Sequence, residues 1–400
     1  MAMNIRQPHF IFFGEGDKLK RSAPTEEAKL WSVDRDNSKS PFSRFVGNEK
    51  AVKKMQVAAY HALGHPYHMM RDLAFSIFGP ASAGKTTLAR IYGETVKLPF
   101  VEISPKGVKT IDDVFDHIND VLAKNGIGLI EVEKDHYTLP PTVLFIDEVH
   151  ALPDGIVQGL LKATEFNDAM MQTESGKTLD TYAATWMIAT TDEGRLFDAF
   201  RTRFNPVQLN YLCKKDVAKI VKNNHPSLSM TVCELVSHYN PKVPRSALQF
   251  ARYMEMYQKM HPDMDWKDVA KVVAENEGIN EVGLNQNQMK VLEALVDGPV
   301  AKKNICSIIN RKEEELERYI IPSLISDTDD TPALVAASNR GYRLTDHGIM
   351  MCSSLGIMNN GPIINLKESI AKVLAKMTTQ EERDAFMNIV KECTAKVLKK

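Results

Sequence analysis

The chain has 400 residues, 44 % hydrophobic and 25 % charged, which excludes a collagen-like, mucin-like or wholly disordered polymer. At roughly 100–200 residues per domain, two to four domains are expected. Fifty basic against 51 acidic residues leave a net charge of −1, so any nucleic-acid-binding face must be local.

Residues 1–40 are polar and irregular and read as an N-terminal extension. Their apolar burst at Phe10–Phe13 is too short for a signal-peptide core. From Pro41 to Pro206 short apolar runs alternate with helical patterns. LAFSIF (73–78), LPFVEIS (98–104), TVLFID (142–147) and TWMIAT (185–190) are continuous in apolar residues, as strands of a parallel sheet covered on both faces require. The region 41–206 is therefore expected to be an α/β domain. From 207 to 275 four helical patterns follow, broken by Pro226, Pro241, Pro244 and Pro262, and predict a small helical domain. The methionines Met254, Met256, Met260 and Met264 are expected in its core.

A polar stretch ending at Gly283 leads to a third unit, 283–353. Three helical segments precede LVAASNRGYRLTDHG, which reads as a hairpin turning at Arg340-Gly341. Helices followed by a hairpin predict a winged helix. Residues 360–400 carry two amphipathic stripes, with a capping box from Thr379 to Glu382 between them. They predict a C-terminal helical extension. No run of 18 apolar residues occurs, so no membrane span is expected. Five cysteines, the closest pair 20 residues apart, point to reduced thiols and, with the rest, a cytoplasmic protein.

The strongest chemical signal is GPASAGKTT, which fits G-x-x-x-x-G-K-[ST] between a strand and a helix. Gly79, Pro80, Ala81, Ser82, Ala83, Gly84, Lys85, Thr86 and Thr87 would curl backbone N–H groups around a triphosphate. Lys85 would reach the β and γ phosphates of ATP, and Thr86 would ligate Mg²⁺. In VLFIDEVH a buried strand runs straight into Asp147 and Glu148. Such a pair is expensive to bury unless it faces a metal or a cleft. Asp147 would hold Mg²⁺, and Glu148 would act as general base toward the attacking water. In ATTDEGRLFDAFRTRF a strand tip offers Thr191 to the water or γ-phosphate. Arg201 and Arg203 follow, and Arg203 is placed to reach a neighbouring subunit's ATP as an arginine finger.

With these three segments the chain resembles the AAA+ ATPases and, among them, the bacterial Holliday-junction branch-migration motors of the RuvB family. FVGNEKAVKKM, IDEVHAL, ATTDEGRLFDAFRTRF and NPKVPRSALQFAR resemble that family's entry box, Walker B, sensor-1-to-finger and sensor-2 segments. The resemblance extends through the expected winged helix and covers about 41–350. It implies an AAA+ P-loop domain with a parallel sheet, then a helical lid and a winged-helix domain. It places Phe45 and Val46, with Tyr211, beside the base, and Arg245 at the γ-phosphate. It also implies a homo-oligomeric ring, commonly a hexamer, that hydrolyses ATP and moves branched or duplex DNA in recombination and repair.

A RuvA-like partner protein is implied too, gripped through a hairpin between Phe166 and Trp186. There DAMMQTESGKTLDTYAA departs from the family in length and composition, and HINDVLAKNGIGLIEVEKDHYTLPP adds an insert before Walker B. Arg340 and Arg343 are the DNA-contact candidates. Yet 283–353 holds eight basic and ten acidic residues, which works against a large phosphate footprint. Two other functions stay open: an AAA+ clamp-loader-type or protein-remodelling switch, and an ATP-gated winged-helix DNA-binding regulator.

Overall fold

A computed structural model describes residues 40–64, 74–165, 169–196 and 198–357. The expected extensions at 1–40 (apart from Ser40) and 360–400, with the Thr379 capping box, lie outside them. The chain divides into two compact units, Met1–Val273 and Ala274–Lys400.

The first unit is built on helix α1 (Glu49–Gly64) and a five-stranded parallel sheet. Its strands are β1 (Phe75–Phe78), β2 (Phe100–Ile103), β5 (Thr142–Ile146), β8 (Ala184–Thr190) and β9 (Asn205–Gln208), in the order β2-β5-β8-β1-β9. Every residue of β1, β5 and β8 is buried, which is why those runs carry no polar alternation. Successive side chains point to opposite faces. Leu144, Ile146, Trp186 and Ile188 join one core with helices α3 (Ile111–Lys124) and α4 (Asp154–Ala163). Val143, Phe145, Met187 and Ala189 join another with α1 and α2 (Lys85–Val96). Each fully buried aliphatic side chain contributes roughly 1.5–3 kcal/mol. Phe78 stands in register with Thr190, and Ile146 with Ile188, so the loops after β1, β5 and β8 leave one end of the sheet together.

Strand β9 is an edge strand within NPVQ, where proline is tolerated because no neighbour needs its N–H. It carries the sheet past the boundary expected at Pro206. A second sheet of four strands has the order β3-β4-β7-β6, from β3 (Ile130–Glu133), β4 (His136–Thr138), β6 (Met170–Gln172) and β7 (Thr178–Asp180). The insert forms the antiparallel pair β3/β4, and the departing segment before Trp186 forms β6/β7. The two hairpins join through parallel pairing of β4 with β7. The tip of the second folds back onto α3, where Glu174 and Ser175 donate backbone N–H groups to Asp112 at 2.7 and 3.3 Å. Lys177 adds an ion pair to Asp116 at 3.6 Å and lies over the Phe115 ring.

Beyond a four-residue helix α5 (Asp198–Arg201) and β9 come four helices: α6 (Lys214–Asn224), α7 (Met230–Tyr239), α8 (Pro244–Met260) and α9 (Trp266–Asn276). Helix α8 buries Ala247, Phe250, Ala251 and Met254 at helical spacing. Met254 is thus core as expected, but Met256 and Met260 are exposed. They sit two and six residues beyond Met254 and fall on the opposite face.

In the second unit α10 (Gln286–Ala294) starts at a capping box in which Asn285 and Gln288 satisfy each other's backbone. Then come α11 (Lys302–Ile309) and a continuous helical stretch through Glu313–Glu315, Leu316–Ile320 and Ile321–Ile325. Its middle segment is a π-turn, just ahead of Pro322, which has no N–H to give to a preceding carbonyl. The hairpin β10 (Val335–Ser338) and β11 (Gly341–Leu344) follows, then α12 (Asp346–Ser354). Gly341 opens β11 and pairs with Ser338, so the turn is Asn339-Arg340, one residue earlier than expected. Its glycine serves close packing: a Cβ there would lie 2.2 Å from the Val300 carbonyl oxygen. Val291, Leu292, Ile305, Leu316, Leu324 and Val335 belong to the core of this unit.

Candidate active site

The loop after β1 is shaped by three left-handed or near-extended residues, Gly79 (φ +151°), Ser82 (φ +64°) and Gly84 (φ +93°). A Cβ on Gly79 would lie 2.6 Å from the Leu209 carbonyl oxygen, and one on Gly84 2.9 Å from the Phe45 ring. Only glycine lets the loop pass so close to its neighbours. Gly84 caps α2 without any side-chain acceptor, so the first-turn N–H groups of that helix are left for a ligand. Ala83 and Lys85 are buried, Pro80, Ser82 and Thr86 half-buried, and Ala81 and Thr87 exposed.

Lys85 lies along this loop with its side chain 6 % exposed. It donates to the Gly79 and Pro80 carbonyl oxygens at 3.0 and 3.2 Å, and the Glu148 carboxylate stands 4.0 Å away. An ammonium has three protons to donate. Burial pushes its proton affinity below the usual lysine range, partly countered by Glu148 and Asp147, while Arg245 adds to the lowering. A dehydrated cation with a donor to spare, beside capless helix N–H groups, fits an anionic phosphate.

Asp147 follows the last residue of β5, and its backbone N–H donates to the Ile103 carbonyl at 3.2 Å. Burial, then repulsion from Glu148, raises the Asp147 carboxyl above its usual range, and Lys85 opposes the rise. The Thr86 hydroxyl donates to Asp147 Oδ2 at 3.4 Å. A hydroxyl and a carboxylate so placed are the oxygen donors Mg²⁺ takes from a protein when phosphates supply the rest. Among the described residues no cluster of three or more His, Cys, Asp or Glu forms a separate metal site.

Glu148 has left-handed backbone, φ 49° and ψ 50°, which is uncommon for a residue with a side chain. Its carboxylate Oε2 accepts the Thr191 backbone N–H at 3.1 Å and the Thr191 hydroxyl at 3.0 Å. His150 Nδ1 lies 3.3 Å from the same oxygen, with the imidazole 5 % exposed. Sequence reasoning did not single out His150. The signal available was its place two residues past Glu148, in an otherwise apolar VHAL segment.

The remaining expected residues fall as follows. Phe45 and Val46 are half-buried and help line a groove of about 690 Å³ that also takes in Val52, Tyr60, Asp216 and Lys219 but no residue of the phosphate loop. Tyr211 is half-buried, and burial pushes its phenol up to about 12. Arg245 is exposed at the start of α8, close enough for its charge to act on Lys85. Arg203 is not at the Lys85–Glu148 cluster. It donates to the Leu161 carbonyl and to the Thr164 hydroxyl at 3.4 Å, and pairs with Glu165 at 3.4 Å, all at the end of α4. Arg201 donates to the Glu193 carbonyl at 2.5 Å. In the second unit Arg340 is exposed at the hairpin turn and Arg343 is exposed on β11. Among the described residues no helix is long and apolar enough to cross a membrane.

Residues 75–210 match the family model described as "ATPase family associated with various cellular activities (AAA)". The chain is similar to the Holliday junction branch migration complex subunit RuvB of Mycoplasmopsis pulmonis, 26 % identical over 330 residues, covering 77 % of this chain and 95 % of that one. A mutant of Thermotoga maritima RuvB shares its fold with a TM-score of 0.62 at 20 % identity, over 78 % of this chain and 97 % of the other. The structure titled Thermotoga maritima RuvB Holliday junction branch migration motor gives 0.60 at 20 %, over 77 % and 95 %. These structural likenesses establish the AAA+ α/β fold.

Proposed function

We propose, taking this chain as a RuvB-like AAA+ ATPase, that it hydrolyses ATP at the Gly79–Thr86 loop and uses the cycle to move or remodel branched DNA. The observation that carries the proposal is the buried Lys85 with the half-buried Glu148 and Thr191 at the strand ends, one cation and one carboxylate 4.0 Å apart beside the Gly79–Thr86 loop. Backbone N–H groups of the loop and the Lys85 ammonium bind the triphosphate. Thr86 and Asp147 would hold Mg²⁺, which when bound neutralises charge on the phosphate oxygens. Glu148 orients the attacking water and takes its proton. Thr191 fixes the Glu148 carboxylate, and Arg245 senses the γ-phosphate from the helical region. Phe45, Val46 and Tyr211 flank the base.

Arg203 is supported as a group offered to a second copy of the chain: it is anchored on α4 and away from its own Lys85. We read the assembly as a ring, hexameric in the resembled family, in a cytoplasmic setting. The hairpin at 335–344 with Arg340 and Arg343 is the DNA-contact candidate, in a region we read as a winged helix. A RuvA-like partner would have to meet a β6/β7 hairpin already tied to Asp112 and paired to β4.

One observation favours a second reading, an AAA+ switch that remodels a protein: residues 283–353, which include the hairpin, carry ten acidic against eight basic residues. ATPase rate with and without a synthetic four-way DNA junction, together with branch migration of that junction, separates the two. The motor requires stimulation and strand exchange. A rate indifferent to DNA with no exchange rejects it in favour of the switch.

A further inference from the structure

The Glu148 carboxylate is held unevenly. Oε2 receives the Thr191 N–H, the Thr191 hydroxyl and the approach of His150 Nδ1, while Oε1 stands 4.0 Å from Lys85 Nζ with no hydrogen bond among the described residues. His150 Nδ1 is also 2.7 Å from Thr190 Oγ1. That hydroxyl lies 3.2 Å from the Asp192 carbonyl, to which it donates, and 3.0 Å from the Asp192 N–H, which it accepts. A hydroxyl has one proton. With that proton directed at the Asp192 carbonyl, the hydrogen between Thr190 and His150 comes from the imidazole.

The alternative tautomer would aim the bare Nδ1 lone pair of a buried imidazole at a carboxylate oxygen 3.3 Å away, a repulsive contact. The two contacts together favour hydrogen on Nδ1, directed at Thr190 Oγ1 at 2.7 Å with Glu148 Oε2 3.3 Å away.

We propose that His150 is a positioning residue for ATP hydrolysis: its Nδ1–H bridges the Thr190 hydroxyl and Glu148 Oε2, saturates that oxygen, and so leaves Oε1 as the one that takes the proton from water. The proposal rests on the ATPase reading above. Two features make the bridge necessary. Glu148 sits in left-handed backbone, which side-chain-bearing residues hold only when their surroundings fix them. Thr191 alone holds one oxygen and leaves Oε1 free to swing about those two bonds. His150 adds the third point from the β8 side, through the buried Thr190.

The test compares His150→Asn with His150→Leu, in full-length protein, beside unsubstituted protein and Glu148→Gln. The asparagine amide nitrogen sits close to where Nδ1 does and donates the same bond, whereas leucine fills the space without donating. His150→Leu should lower kcat about 10- to 100-fold with little change in KM for ATP, as removal of a positioning group does. His150→Asn should recover most of that deficit. Thr190→Val, which removes the other end of the bridge, should fall between them. Thermal melts check that all variants fold, and a purely structural role would lower Asn and Leu alike. The proposal is overturned if Leu turns over ATP within twofold of unsubstituted protein, or if Asn falls as far as Leu. Absence of any Glu148-dependent turnover in the unsubstituted protein overturns the ATPase reading itself and this bridge with it.

Discussion

Both units carry surface ion pairs, but the candidate ligand-binding cations of the two sit in opposite surroundings. In the first, Lys85 is 6 % exposed and the Glu148 carboxylate is held by Thr191 and His150. In the second, Arg340 and Arg343 are exposed, and the ion pairs are surface pairs such as Arg311 with Glu315 and Arg318 with Glu314. Surface pairs of that kind contribute about 0–1 kcal/mol and are readily exchanged. A buried, dehydrated charge is expensive and persists only where something requires it. The first unit thus declares its ligand through its interior, whereas the second offers a face whose ligand must be found by binding.

The contrast can be broken most severely at Lys85. Lys85→Ala should abolish nucleotide binding, seen as disappearance of the ATP-dependent rise in melting temperature; a retained rise would remove the first unit's claim. Next is Arg203→Ala, which should lower turnover by about 10³- to 10⁵-fold with nucleotide affinity kept. Mixing it with Lys85→Ala protein should restore part of the rate, and no recovery on mixing argues against a shared site. Glu148→Gln should bind ATP and turn it over about 10²- to 10⁴-fold more slowly, measured as phosphate release.

Arg340→Ala combined with Arg343→Ala sharpens the other side of the contrast. It should weaken junction binding and flatten the slope of log affinity against log salt by about 0.9 for each DNA phosphate that is no longer neutralised. An unchanged slope moves the DNA-binding face off the hairpin. The smallest effect concerns Asp147. Its folded proton affinity is raised, so the carboxylate costs stability where it is ionised, and the cost fades as pH falls through the folded value toward that of the unfolded chain. Without ligand, Asp147→Asn should therefore melt a few degrees higher at neutral pH, with the gap closing in acid.

Much of this was legible in the chain because the relevant forces are local. Strands β1, β5 and β8 announce themselves as largely apolar runs, β2 more weakly because Glu102 interrupts it, and the Gly79–Thr87 loop as a glycine pattern between strand and helix. Strand β9 was hidden: NPVQ has a proline and one buried residue, Val207, and is a strand only because β1 offers an edge. Strands β3, β4, β6 and β7 are three or four residues long, and their two hairpins are joined by β4–β7 pairing across some 40 residues of sequence, which no local pattern encodes. His150 and Thr190 meet across 40 positions for the same reason. Met256 and Met260 were misplaced because methionine suits both core and surface, and only the phase set by Ala247, Phe250 and Met254 tells which face they occupy.

The most direct test is the ATP turnover per molecule measured across protein concentration, with the particle mass followed in parallel. Sites completed by a neighbour's Arg203 require turnover per molecule to climb as copies assemble and to level off once assembly is complete. A rate that stays constant down to concentrations where only single chains remain would contradict the account.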